Sequence, residues 1–287
     1  MRDALKAERT VVDGLVFAES PRWRDGRLWF SDMHGHAVFN VTLDGRLTKV
    51  LDVPEQPSGL GFMPDGSLLV VSMKDRRILR WAEGTVTTHA NLMGSYARGE
   101  LNDMIVTPQG RAYVGQYGSD TYAGEPQTPT TLILIEPDGS HRAVAGDLKM
   151  PNGMALSPDG RHLYVAETYR PSITRFRIAD DGSLINREIY AALKARPDGI
   201  CLDADGCIWF GSAQHPGGGT FRVAQGGRIL NAIQPEGWRG VACVLAGENR
   251  ETLFLLESQR ASPRKITGPG NSRIRAIPAP APGAGLP

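Results

Sequence analysis

Cysteine is scarce in this chain, with 3 in 287 residues. Cys201, Cys207 and Cys243 form no CxxC pair, which excludes a disulfide framework and a zinc knuckle and leaves three small buried hydrophobes. No apolar run approaches the length of a membrane span, so no membrane partner is expected. Neither sign of charge prevails: 32 Lys and Arg stand against 31 Asp and Glu, with no block of one sign. A nucleic-acid or polyanion surface is therefore excluded as a reading. The opening MRDALKAERTVVDG carries charges of both signs and no apolar signal core, so a soluble, cytoplasmic protein is expected. Helix-period stretches of useful length are nearly absent, which argues against an α/β fold.

Turns are plentiful, with 34 Gly and 20 Pro spread along the chain. One phrase recurs: a short apolar run, a turn ending in Gly, and a second run rich in aromatic and β-branched residues. Its copies are SPRWRDGRLWFSD, LGFMPDGSLLVVS, MIVTPQGRAYVGQ, MALSPDGRHLYVAE and ICLDADGCIWFGS, with a weaker sixth, VACVLAGENRETLFLLES. Gly26, Gly66, Gly110, Gly160 and Gly206 are separated by 40, 44, 50 and 46 residues. Asp-Gly between strand-like runs is a hairpin signal, because Gly supplies the positive φ of a tight turn. Further strand pairs follow each phrase, giving four strands per unit.

An all-β fold is expected: a six-bladed β-propeller of four-stranded antiparallel blades around a central channel, one domain over 1–275. TVVDG is expected to close the last blade beside LFLLES and SRIRAIPA, which would leave few open sheet edges. Residues 276–287 read as a flexible Pro/Ala/Gly tail. Trp29, Tyr113, Tyr164 and Trp209 recur in the second strands and are expected to pack between blades.

The innermost strands of a propeller converge on one face, so equivalent positions form a ring. Eight residues before the turn glycine lie Ser58, Asn102, Asn152 and Asp198; blade 1, with a turn shorter by one, gives Glu19. Hard oxygen ligands drawn from separate blades suit Ca²⁺ or Mg²⁺, with Mn²⁺ or a labile Zn²⁺ also compatible. Two carboxylates would neutralise one divalent ion and repel each other without it. The rim candidates are His34, His36, Gln116, Tyr117, Gln214 and His215. The insertion GQYGSDTYAGEPQTPTT is expected to form a loop over one face.

Through GLVFAESPRW, ELNDMIVTPQGRAYVG, MPNGMALSPDGRHLYVAET and RPDGICLDADGCIWFGS the sequence resembles the senescence-marker-protein (regucalcin)/gluconolactonase/luciferin-regenerating enzyme-like family over nearly its whole length. The resemblance implies a metal site at Glu19, Asn152 and Asp198, Ca²⁺ first among candidates. It further implies hydrolysis of a small lactone or ester, with the metal polarising the carbonyl and activating water. Asp198 is then the base, acting through water, and Asn102 contacts substrate or the metal's water. Sugar-lactone members carry Arg where Glu100 stands and commonly Gly where Met104 stands, which turns the expectation toward a more apolar lactone or ester. Glu100, Met104, Gln116, His34 and His215 complete the expected substrate contacts. Two other readings use the same fold: an organophosphate hydrolase of the diisopropyl fluorophosphatase type, and a non-catalytic Ca²⁺-binding or interaction propeller.

Overall fold

A computed structural model describes residues 8–120, 123–259, 266 and 268–287. The remaining parts of the expected 1–275 domain, at 1–7, 121–122, 260–265 and 267, lie outside the described residues. Six four-stranded antiparallel sheets, each running outward from one innermost strand, make a six-bladed β-propeller. The innermost strands are Ala18–Arg24, Pro57–Phe62, Leu101–Val106, Pro151–Leu156, Ile200–Leu202 and Arg239–Ala246. Blade 6 is closed from the other end of the chain: Arg9–Leu15 pairs antiparallel with Ser272–Pro278, placing Val12 opposite Ile274. Thr252–Ser258 lies one strand further in.

Each innermost strand starts at one face and reaches the Asp-Gly-type turn at the other. Gly26, Gly66, Gly110, Gly160 and Gly206 all hold positive φ there, as the hairpins require. Blades are welded by side chains that cross to the next one. Trp29 packs against Phe62 with ring centroids 5.2 Å apart, and the Tyr113 hydroxyl donates to Gly182 O at 2.8 Å. Tyr164 joins the cluster of Ile200 and Phe210, and Trp209 that of Cys243 and Leu253. Beside the ring some innermost strands abut too closely for a side chain between them. A Cβ on Gly153 would lie 2.5 Å from Asp198 O and from Ile200 N.

The segment after Pro278, expected as a flexible tail, is instead a strap across the turn face. Ala279 N donates to Glu251 O and Gly283 N to Arg250 O in blade 6, each at 2.8 Å. In blade 5 Ala284 N donates to Leu202 O at 2.9 Å, and Pro282 O accepts from Ala204 N at 2.8 Å. Leu286 exchanges both main-chain bonds with Leu156 of blade 4. The segment lacks large side chains because its holding force is main-chain pairing, which composition does not reveal. Its end floors a cavity of about 210 Å³ between Arg22, Trp23, Phe62, Ile105, Val106 and Leu286.

Deleting 279–287 removes these bonds from three blades. At ~1 kcal/mol net for each of a few well-made bonds, and 2–4 °C per kcal/mol in a chain this size, Tm should fall by about 5 °C or more. A thermal melt of the truncated protein that matched the full chain would refute the strap's contribution.

Candidate functional site

The ring lies at the face opposite the strap. Gly153 N donates to Asp198 O and Gly199 N to Val241 O, so blades 4 and 5 each hand the register to the next and Val241 takes the blade 6 position. Around the channel mouth the ring reads Glu19, Ser58, Asn102, Asn152, Asp198, Val241. A bulge follows the ring position in blades 1 to 4: pairing slips between Glu19 and Arg22, Pro57 and Leu60, Leu101 and Met104, and Pro151 and Met154. Bulges kink the strand start and re-aim a side chain without ending the sheet.

Asn152 lies beside Asp198, and its amide donates to Thr168 Oγ1 at 3.2 Å. Thr168 in turn donates to Pro197 O at 2.8 Å, fixing the turn that presents Asp198. Asn102 Nδ2 donates to Pro151 O at 3.2 Å, which leaves its carboxamide oxygen for a cation or substrate.

Burial pushes the Asp198 carboxyl up to about 7, with Asp103 adding to the rise and Asn152 opposing it. Burial likewise holds Glu19 well above the ordinary carboxylate range, reinforced by the charges of Asp198, Asp103 and Asp32. Ser58 approaches Glu19 without hydrogen-bond geometry, so Glu19 Oε1 is buried with no partner. Both residues keep a partial opening to solvent although protein surrounds their carboxyls, so their desolvation is smaller than in a sealed interior.

No three His, Cys, Asp or Glu side chains form a metal cluster among the described residues. The ring offers two carboxylates and two carboxamides instead. An orphaned buried carboxylate oxygen and two acids forced toward neutrality are what a hard divalent cation would relieve, so this donor set fits Ca²⁺.

The rim residues divide. The first two strands of each blade run away from the ring face and back, so the loops after the second strands lie on the ring's face. Glu100 precedes the blade 3 ring strand; burial raises its carboxyl, Asp120 adding and Arg76 opposing, and its Oε2 is buried without a partner. His34 Nδ1 meets Gln56 Nε2 at 3.0 Å, which places the proton on Nε2, a buried nitrogen with no partner. Burial, then His36 and Lys74, lowers His34 to about 4, so the ring is neutral at physiological pH. His215 is exposed on the loop after Ile208–Ser212.

Two expected contacts are corrected. Met104 is fully buried in a core cluster with Met73, Val71 and Val114, because the residue two beyond the ring faces a neighbouring blade. Gln116 is also fully buried. Its Nε2 donates to Tyr96 O and Thr131 O and its Oε1 accepts from Arg98 N, so it braces the 96–98 segment.

The sequence reading missed Asp103 and Arg22, whose side chains meet across the channel at 3.1 Å. The signal was present in the register. One residue past the ring the blades read Ser20, Gly59, Asp103, Gly153 and Gly199, and three past it Arg22, Gly61, Ile105, Ala155 and Cys201. Two charged residues stand where the other blades have small or apolar ones.

Comparison with known proteins finds relatives over nearly the whole chain. The family profile described as SMP-30/Gluconolactonase/LRE-like region matches residues 17–259. A 6-deoxy-6-sulfogluconolactonase of Pseudomonas putida is 28% identical, the match covering 90% of this chain and 88% of that one. A pentonolactonase of Haloferax volcanii is 26% identical over 86% and 83% of the two chains. Among solved structures, a Xanthomonas campestris gluconolactonase is similar with a TM-score of 0.75 at 26% identity, covering 98% and 94%. A calcium-binding regucalcin of Agrobacterium tumefaciens, at 20% identity and a TM-score of 0.77 over 97% and 95%, shares the fold.

Proposed function

The chain belongs to the SMP-30/gluconolactonase/LRE-like family, and from that premise we propose that it is a metal-dependent hydrolase of a small lactone or related ester. One observation carries the reading: two buried ring carboxyls, from blades 1 and 5, with Glu19 Oε1 left unpaired. A protein does not keep such acids in a channel mouth for stability, since each costs free energy unless something compensates it.

Glu19, Asn152 and Asp198 would hold the cation, Ca²⁺ first, and when bound it supplies Lewis-acid polarisation of the carbonyl and a lowered pKa for water. Asp198 shuttles a proton through water: ionised opposite a cation, it is too weak a base for direct abstraction. Asn102 orients the acyl portion through its carboxamide. His34, neutral and protonated on Nε2, offers a donor to a substrate oxygen, and Glu100 an acceptor for a substrate hydroxyl. His215 stands at the rim as a further contact.

The test is a hydrolysis assay on an aliphatic γ-lactone, gluconolactone and an organophosphate, before and after chelation and with Ca²⁺ added back. Lactone turnover lost on chelation and restored by Ca²⁺ is the expected result. Turnover confined to the organophosphate would move the substrate class, and cation binding without any turnover would make this a binding propeller.

A further inference from the structure

Below the ring, Asp103 of blade 3 extends across the channel to blade 1, past the small Gly59 and Gly61 of blade 2. Its Oδ1 accepts from Ser20 Oγ at 3.1 Å, from Arg22 Nη2 at 3.1 Å and from its neighbour Met104 N at 2.7 Å. Arg22 also donates through Nη1 to Pro21 O at 2.8 Å and through Nη2 to Met104 O. Both side chains of the pair are 8% exposed. Ser20, at the start of this clamp, holds φ +51, a backbone conformation that a non-glycine residue adopts only when its surroundings impose it.

A buried pair of this kind contributes little net stability, because desolvation offsets most of its attraction. Its position suggests a different role. Asp103 directly follows the ring residue Asn102 and accepts from Ser20, which directly follows the ring residue Glu19, so its charge sits one residue from the ring in both blades. Asp32, which also faces Glu19, has its charge met by the backbone N–H groups of Val16 and Phe17. Glu19, Asp198 and Asp103 together carry three negative charges when ionised, and the Arg22 guanidinium brings the sum to two, the charge that a divalent ion cancels.

We propose that Arg22 is a positioning residue that sets the charge of the cation site: held on Asp103, it trims three carboxylates to a net charge suited to a divalent ion. The inference rests on the metal reading above and adds which residue tunes that site.

A charge-neutralising cycle tests it, with Ca²⁺ affinity read by calorimetry on the full chain and folding followed by circular dichroism. Arg22→Met leaves three uncompensated charges and should bind Ca²⁺ about fivefold tighter or more. Asp103→Asn leaves one and should bind about tenfold weaker or more. The double variant restores the net charge and should return to within about threefold of the parent, since replacing both partners avoids a stranded buried charge. Arg22→Lys keeps the charge and should stay near the parent. A merely structural clamp would weaken binding in both single variants and most in the double, and that pattern overturns the proposal. If Arg22→Met does not fold, Asp103→Asn against the double variant still decides: the double must bind more tightly. A parent protein that binds no Ca²⁺, Mg²⁺, Mn²⁺ or Zn²⁺ removes the metal reading itself, a result distinct from tight parent binding with every variant weakened.

Discussion

Asp198→Asn should lower kcat/KM for the lactone by at least about 10³-fold, the scale expected when a group acting in the transition state is lost. The same variant should be no less stable than the parent when measured without added metal at pH 8. Asparagine has the shape of aspartate, so the pocket between Asn152 and Gly199 is refilled without a cavity. The parent carboxyl is pushed up to about 7 by burial, and at pH 8 it is ionised at a cost that the amide does not bear. Activity and stability therefore move in opposite senses, as expected of a residue kept for function. A variant that lost activity and stability together would mark Asp198 as a structural residue.

The fold could be read from sequence because its punctuation is chemical: turns that demand positive φ mark each blade, and counting from them aligns the strands. The ring followed from the same count. Met104 was misplaced because the bulge after Asn102 alters the alternation, so that two residues on the side chain faces a neighbouring blade. Gln116 was misplaced because it ends a second strand, one strand out from the axis, where its amide meets backbone before it reaches the channel. The strap at 279–287 left no trace in hydrophobicity, since backbone pairing holds it. Arg22 and Asp103 were legible in kind but not in partnership. Sequence register shows that two charges break the pattern at adjacent levels, while their meeting across the channel depends on side-chain reach.

The stabilisation given by Ca²⁺ should itself depend on pH, in a direction opposite to that of the metal-free protein. In the unfolded chain Asp198 has its ordinary value of 3.8, whereas in the ion-free fold burial pushes it up to about 7. Between those values the folded state holds a proton that the unfolded state lacks. Stability from this group is therefore present below the unfolded value and lost as pH rises through the folded one. Glu19, raised by the same burial, acts in the same sense. After allowance for the partial solvent opening of the site, the loss is ~2 kcal/mol, about half of the 1.4 kcal/mol per unit that a sealed group would give. With Ca²⁺ held by Glu19, Asn152 and Asp198 the acids are ionised in the folded state, and the sign reverses: stability is kept above the unfolded value and lost as pH falls. The Tm gain on adding Ca²⁺ should thus be near zero at pH 4.5 and grow through pH 7. With free Ca²⁺ at ~100 times its Kd the gain at pH 8 should reach about 2.7 kcal/mol, or roughly 5–10 °C. Paired melts in chelator and in Ca²⁺ across this range measure it directly. A gain equal at pH 5 and pH 8 would mean that the ion binds away from the two ring acids.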